Sequence, residues 1–210
     1  MRILVLGGNG LIGSGIMFNL DRVDNDWEVW TSASNRSSTE RTCKRFSKAK
    51  VLTVDLGSAS EIKELLHKVS PNVVINAAGV TKHSSSYGDT GQVIRLNAVL
   101  PFHLADMSKT LGFKLIHVST DCVFDGLIGR YTEDDIPSAS DIYGLTKILG
   151  EKSIGGRGLI LRTSTVGLDQ TKRDGLLEWF LHQNDVCEGY TGAFFSGMST
   201  LEFGRVISEF

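Results

Sequence analysis

Apolar residues along this chain fall into short, nearly unbroken runs, separated by longer stretches in which they recur every three or four positions. The runs Ile3–Leu6, Glu28–Thr31, Val51–Val54, Val73–Asn76, Lys114–Ser119 and Leu159–Thr163 read as strands. Runs this continuously apolar belong to a sheet covered on both faces. Between them, Leu11–Leu20, Ser60–Val69, Gln92–Leu111 and Tyr143–Ser153 have the length and period of helices. The alternation predicts βαβα units, hence a parallel, doubly wound α/β sheet. Ser32–Ser47 is polar, basic and serine-rich and reads as a loop with a short helix. There is no internal repeat and no low-complexity linker.

A chain of 210 residues, 41% hydrophobic and 22% charged, suits one domain with a small appendage. Its formal net charge of -2 offers no electrostatic reason to expect nucleic acid or an anionic membrane as partner. No apolar run is long enough for a signal segment or a membrane span. The three cysteines, Cys43, Cys122 and Cys187, form neither an even set nor a close ligand pair. That argues against a disulfide framework or a structural metal, and for a reducing cytoplasm.

Directly after the first strand, Gly7, Gly10 and Gly13 recur at a three-residue spacing around Leu11 and Ile12. Glycine allows positive φ and lets backbone N–H groups approach a pyrophosphate at the start of the following helix, and Gly13 would allow close helix packing. A plain tight βα turn would show the same glycines. The place at the first strand, with apolar residues inside the pattern, favours a nucleotide cradle. Asp55 and Leu56 follow the third strand, where Asp55 could accept from an adenine amino group or cap a helix; Ser58 and Ser60 are alternative caps. Asn76, Ala77, Ala78 and Gly79 end the fourth strand, and the small residues there either admit a ligand across the sheet edge or serve packing alone.

Tyr143 and Lys147 stand four residues apart on one helical face. A nearby ammonium favours the phenolate, so the pair can serve proton transfer. By itself the spacing also fits a surface Tyr and Lys. Ser119–Thr120–Asp121 at the end of the fifth strand adds hydroxyls at the same sheet edge, with Thr120 placed to meet a carbonyl oxygen, although such residues equally favour turns. A hydroxyl, a tyrosine and a lysine outside parallel strands make one coherent site.

These stretches, together with Ser119–Gly126, Tyr131–Glu133, Gly150–Glu151 and Arg162–Ser164, resemble the extended short-chain dehydrogenase/reductases, and within them the dTDP-4-dehydrorhamnose reductase-like branch. The resemblance covers nearly the whole chain. It implies a Rossmann-like NAD(P)-binding domain that reduces a 4-keto nucleotide-linked sugar: Thr120 orients the keto group, Tyr143 donates a proton, and Lys147 holds the nicotinamide ribose while lowering the tyrosine pKa. Cys122 departs from the aromatic that often follows S-T-D in this branch and reads as a small packing residue. Two rivals are a nucleotide-sugar epimerase with the same Tyr/Lys pair and a binding or regulatory protein that keeps the fold without turnover.

NADPH is expected over NADH, because Trp30–Ser34 carries no acid to meet the ribose 2′-OH, while Arg36, and less centrally Arg41 or Lys44, can meet a 2′-phosphate. A simply solvated basic surface is the alternative. The expected division is a cofactor domain at 1–168 and an incomplete C-terminal substrate lobe at 169–210, with Trp179, Phe180, Tyr190, Phe194 and Phe195 at its start. Apolar surface left uncovered there would favour mobility or association with another chain, including a homo-oligomer. These residues alone should bind cofactor better than sugar nucleotide.

Overall fold

β1 (Arg2–Leu6) shows why the strands are apolar throughout: Leu4 and Leu6 join the core on one face of the sheet, and Ile3 and Val5 join the core on the other. A two-sided parallel sheet requires this. The computed structural model describes residues 1–24, 26–82, 84–168 and 175–209. Around β1 lie β2 (Glu28–Ala33), β3 (Lys50–Thr53), β4 (Val73–Asn76), β5 (Lys114–Thr120) and β6 (Leu159–Thr163), in the order β3-β2-β1-β4-β5-β6. All pairs are parallel. The order reverses direction between β1 and β4, which opens a crevice at the carboxyl ends of those strands.

α1 (Leu11–Leu20) follows β1, and α2 (Arg36–Arg45), α3 (Ala59–Val69), α5 (Leu100–Leu111) and α6 (Ile142–Ile154) make the other crossovers. The polar stretch expected as a loop with a short helix contains a ten-residue helix, α2, which Asn35 caps by accepting from Ser38 N–H at 2.9 Å. Ser58 caps α3, as one of the two serines proposed for it. The helix expected over Gln92–Leu111 begins as α4 (Thr90–Ile94) and is interrupted by a π segment, Arg95–Val99.

Residues 169–174, which contain the expected domain boundary, lie outside the described residues. Beyond them, α7 (Leu176–Leu181) is short, and Tyr190 and Phe194 are 90% and 97% exposed. The chain then returns. β7 (Thr165–Val166) pairs with β8 (Met198–Ser199), and α8 (Thr200–Ser208) buries Phe203 and Ile207 against Ile16, Met17 and Leu20. α8 therefore packs into the core on one face of the six-stranded sheet. Glycine permits the approach: a Cβ on Gly204 would stand 2.2 Å from Gly15 O, and one on Gly15 2.2 Å from Thr200 O.

Candidate active site

The turn after β1 is drawn too tightly against its own backbone to admit side chains at Gly7 and Gly13. Gly7 has φ +81°, and a Cβ on it would meet Ala78 Cα at 2.8 Å; one on Gly13 would stand 2.1 Å from Gly7 O. Gly13 thus packs against the turn itself. Gly10 precedes α1 with no side-chain cap, so the N–H groups of Leu11, Ile12 and Gly13 begin the helix without an intrahelical acceptor. This arrangement suits a phosphate group. The floor is Ala77–Gly79, with Ala77 N–H donating to Leu6 O at 3.0 Å. Ser32, buried at the end of β2, accepts from Gly7 N–H at 3.1 Å.

Two further expected cofactor residues make local contacts. Arg36 opens α2 with its side chain 93% exposed, paired to Glu40 at 3.2 Å. Asp55 lies beyond β3 and accepts from Gly57 N–H at 2.8 Å, a local turn that stiffens the loop.

Thr120 ends β5, where its hydroxyl accepts from Cys122 N–H at 3.1 Å. Asp141 caps α6, accepting from the N–H groups of Tyr143 and Gly144 at 3.1 Å each, and pairs with Lys82 at 3.0 Å. Gly144 and Gly150 let α6 lie close: a Cβ at Gly144 would be 2.3 Å from Ala139 Cβ, and one at Gly150 2.3 Å from Asn97 O in the π segment. Thr120, Tyr143 and Lys147 thereby come together at the carboxyl end of β5.

Burial dominates their electrostatics. The Tyr143 phenol is pushed up to about 12, chiefly by desolvation, with a hydrogen bond from the Thr120 hydroxyl pulling the other way. Lys147 is pulled down to about 8, again by desolvation, against the attraction of Glu151. Its Nζ donates to Val118 O at 2.8 Å and lies 3.5 Å from Nε2 of His117. The ammonium is thus directed at β5, whereas the pair was expected to work by lowering the phenol.

The other motif residues brace this centre. Buried Glu151 accepts from the Ser119 hydroxyl and from Arg162 Nη2 at 2.9 Å. Arg162 also donates to Glu133 O at 3.3 Å and lies over Phe124, which stacks on Tyr131 with ring centroids 4.3 Å apart. One network therefore ties together the S-T-D run, Tyr131–Glu133, α6 and β6. Three contributors were given no role by sequence reasoning, Asn76 among them although it stands in the Asn76–Gly79 motif. Asn97 bridges the N–H and C=O of Val80 and reaches Thr146. Asn76 and His117 lie beneath Lys147. A polar residue within an apolar strand or helix was the available signal for all three. Among the described residues no group of three or more His, Cys, Asp or Glu could hold a metal ion, and no helix is long and apolar enough to cross a membrane.

A doubly wound sheet with a glycine turn at its reversal point and a Thr, Tyr and Lys at the neighbouring strand end defines a dinucleotide-binding fold of the extended short-chain dehydrogenase/reductase type. Within it, the chain belongs to the RmlD substrate binding domain family, which matches residues 1–183. Methionine adenosyltransferase 2 subunit beta of Rattus norvegicus is 28% identical over 153 residues, 73% of this chain and 42% of that protein. A dTDP-4-dehydrorhamnose reductase of Burkholderia thailandensis is 29% identical over 170 residues, 79% of this chain and 50% of that protein. The chain spans about half the length of these curated relatives. The crystal structure of a hypothetical dTDP-4-dehydrorhamnose reductase from Sulfolobus tokodaii superposes with a TM-score of 0.79 at 25% identity, covering 100% of this chain and 71% of that one.

Proposed function

We propose that this chain carries the cofactor cradle and catalytic groups of an NAD(P)H-dependent reductase acting on a 4-keto nucleotide-linked sugar. The observation that carries the reading is the convergence of Thr120, Tyr143 and buried Lys147 at the end of β5, beside a crevice whose glycines leave no room for side chains. The similarity to a dTDP-4-dehydrorhamnose reductase supports the substrate class.

In this reading Gly7, Gly10, Leu11, Ile12 and Gly13 hold the pyrophosphate, Ala77–Gly79 line the floor, and Asp55 and Leu56 border the adenine. A nicotinamide cofactor held there would supply hydride. Thr120 donates a hydrogen bond to the keto oxygen, Tyr143 gives its proton to the oxygen as charge develops there, and Lys147 holds the ribose. A phenol raised by burial keeps its proton until a strongly basic alkoxide forms, which suits a general acid in reduction. NADPH is the preferred cofactor. No carboxylate stands among Trp30–Ser34, and the Arg36–Glu40 pair is an exposed one whose worth, ~0–1 kcal/mol, a 2′-phosphate can outbid. Residues 1–168 form the cofactor unit. Residues 176–198 begin the substrate side, while α8 returns to the sheet.

Incubating the chain with NADPH or NADH and a panel of 4-keto nucleotide sugars tests this. Loss of reduced-nicotinamide absorbance with one of them is expected. Tight cofactor binding with no oxidation across the panel would overturn the reductase reading in favour of a binding protein. Inversion of the sugar without net oxidation would indicate an epimerase.

A further inference from the structure

The register of the sheet places Asn76 at the end of β4 directly beside His117 on β5. Both are fully buried, and Nδ2 of Asn76 lies 3.1 Å from Nδ1 of His117. The amide's orientation is fixed independently, because its Oδ1 accepts from Ala78 N–H at 3.2 Å. Nδ2 carries hydrogens and no acceptor, so His117 Nδ1 must be the acceptor. The proton of a neutral imidazole then resides on Nε2, the nitrogen that faces Lys147 Nζ at 3.5 Å. His117 is held neutral, well below its ordinary value, by burial and then by the charge of Lys147. An N–H aimed at an ammonium opposes it; aimed at the lone pair of a neutral amine, it makes a hydrogen bond.

We propose that Asn76 and His117 are a positioning pair that sets the protonation of Lys147: Asn76 holds His117 as its Nε2–H tautomer, and that tautomer favours the neutral amine. Lys147 therefore releases a proton more readily than an ordinary lysine. Its catalytic consequence rests on the reductase reading. Once Tyr143 has given up its proton, the ammonium is a source of its replacement, relayed through a bridging water or hydroxyl: an N–H bond breaks at Nζ, the bridging group passes one of its protons on as it takes up that one, an O–H bond forms on the phenol, and solvent later reprotonates the amine. With the phenol at about 12 and the lysine at about 8, that transfer runs downhill. The chain of contacts ends at Ala78 N–H in the crevice floor, so the lysine is linked to the backbone that lines the nucleotide.

Charged and titratable groups surround this pair on the neighbouring elements. On α6 they are Tyr143 and Glu151, the latter favouring the ammonium but also bound by Ser119 and Arg162. On β5 there is His117, and the π segment faces α6 with Asn97, which does not titrate. Asp121, Cys122 and Asp141 act on Tyr143, and Lys82 is paired with Asp141.

Nitrogen-15 spectra of histidine-labelled, cofactor-free chain from about pH 5 to about pH 10 test the tautomer directly, and carbon-13 labelled lysine reports the titration of Lys147. The expected result is an Nε2–H signal for His117 that does not titrate, with one lysine titrating more than about one pH unit below the rest. In Asn76→Asp, the carboxylate needs an Nδ1–H partner. The tautomer should switch, and Lys147 should titrate higher by about one pH unit, a tenfold change in proton affinity. An Nδ1–H tautomer in the wild type, or a His117 that titrates like a free imidazole, overturns the proposal without any variant. So does a rise in Lys147 with the tautomer unchanged, which would be the carboxylate's charge alone. None of these readouts requires turnover, so failure of the reductase reading remains a separate result.

Discussion

Replacing Lys147 with Met should make the cofactor-free protein more stable at neutral pH while removing its catalytic competence. The fall from 10.5 to about 8 measures what burial costs the ammonium: at about 1.4 kcal/mol per pH unit, roughly 3 kcal/mol. Methionine leaves Val118 O without its donor, which costs about 1 kcal/mol. The net gain is therefore about 2 kcal/mol, or about 4–8 °C in Tm for a chain of this size. The pH dependence follows from the sign. The folded state gives up this proton before the unfolded chain does, so between about pH 8 and 10.5 the unfolded chain binds more protons and the wild type gains stability as pH rises. The variant has nothing to titrate there. Its advantage should be full below about pH 8 and should fade by about pH 10, the raised Tyr143 being common to both proteins. Urea melts of both proteins at pH values either side of this window measure it. A Met variant less stable than wild type at neutral pH, or an advantage equally large at both pH values, would refute the reasoning.

Tyr143→Phe should abolish reduction while cofactor affinity, read by calorimetric titration, stays within a few fold; near-wild-type turnover would remove the phenol from its role. Glu151→Leu should cost about 3–5 kcal/mol in urea unfolding, because the buried Ser119 hydroxyl and the Arg162 guanidinium lose their shared acceptor; a cost under 1 kcal/mol would mean that solvent replaces it. Gly204→Ala puts a methyl 2.2 Å from Gly15 O and should destabilise by about 1–3 kcal/mol, with hydrogen exchange rising first in α8; unchanged protection there would show that the helices can shift apart freely. Arg36→Ala should narrow the preference for NADPH over NADH in paired dissociation constants, and an unaltered ratio would place the 2′-phosphate elsewhere.

What was readable from the chain was whatever is written in local chemistry. Period and length marked the six strands and most helices because a parallel sheet must be apolar on both faces, and Leu4 and Leu6 against Ile3 and Val5 show that requirement met. The glycines at 7 and 13 were legible because a backbone turn that tight excludes Cβ atoms, and the Tyr143–Lys147 spacing because a helix face repeats every four residues. Residues 36–45 were harder: a serine-rich segment has little apolar period, and its helix depends on the Asn35 cap. The π interruption was invisible because it serves contacts made elsewhere, Asn97 with Val80 and Thr146, and the close seat of Gly150. The return of α8 to α1 was likewise hidden, since two glycines 189 positions apart carry no mark of the helix that will cross them. By itself, then, the sequence determined the sheet, the cradle and the chemical type of the site. Only the tertiary structure decided the protonation of that site: the burial that raises Tyr143 and lowers Lys147, and the pairing of Asn76 with His117, arise from strands and helices distant in sequence, and desolvation is a property of what surrounds a group rather than of the group.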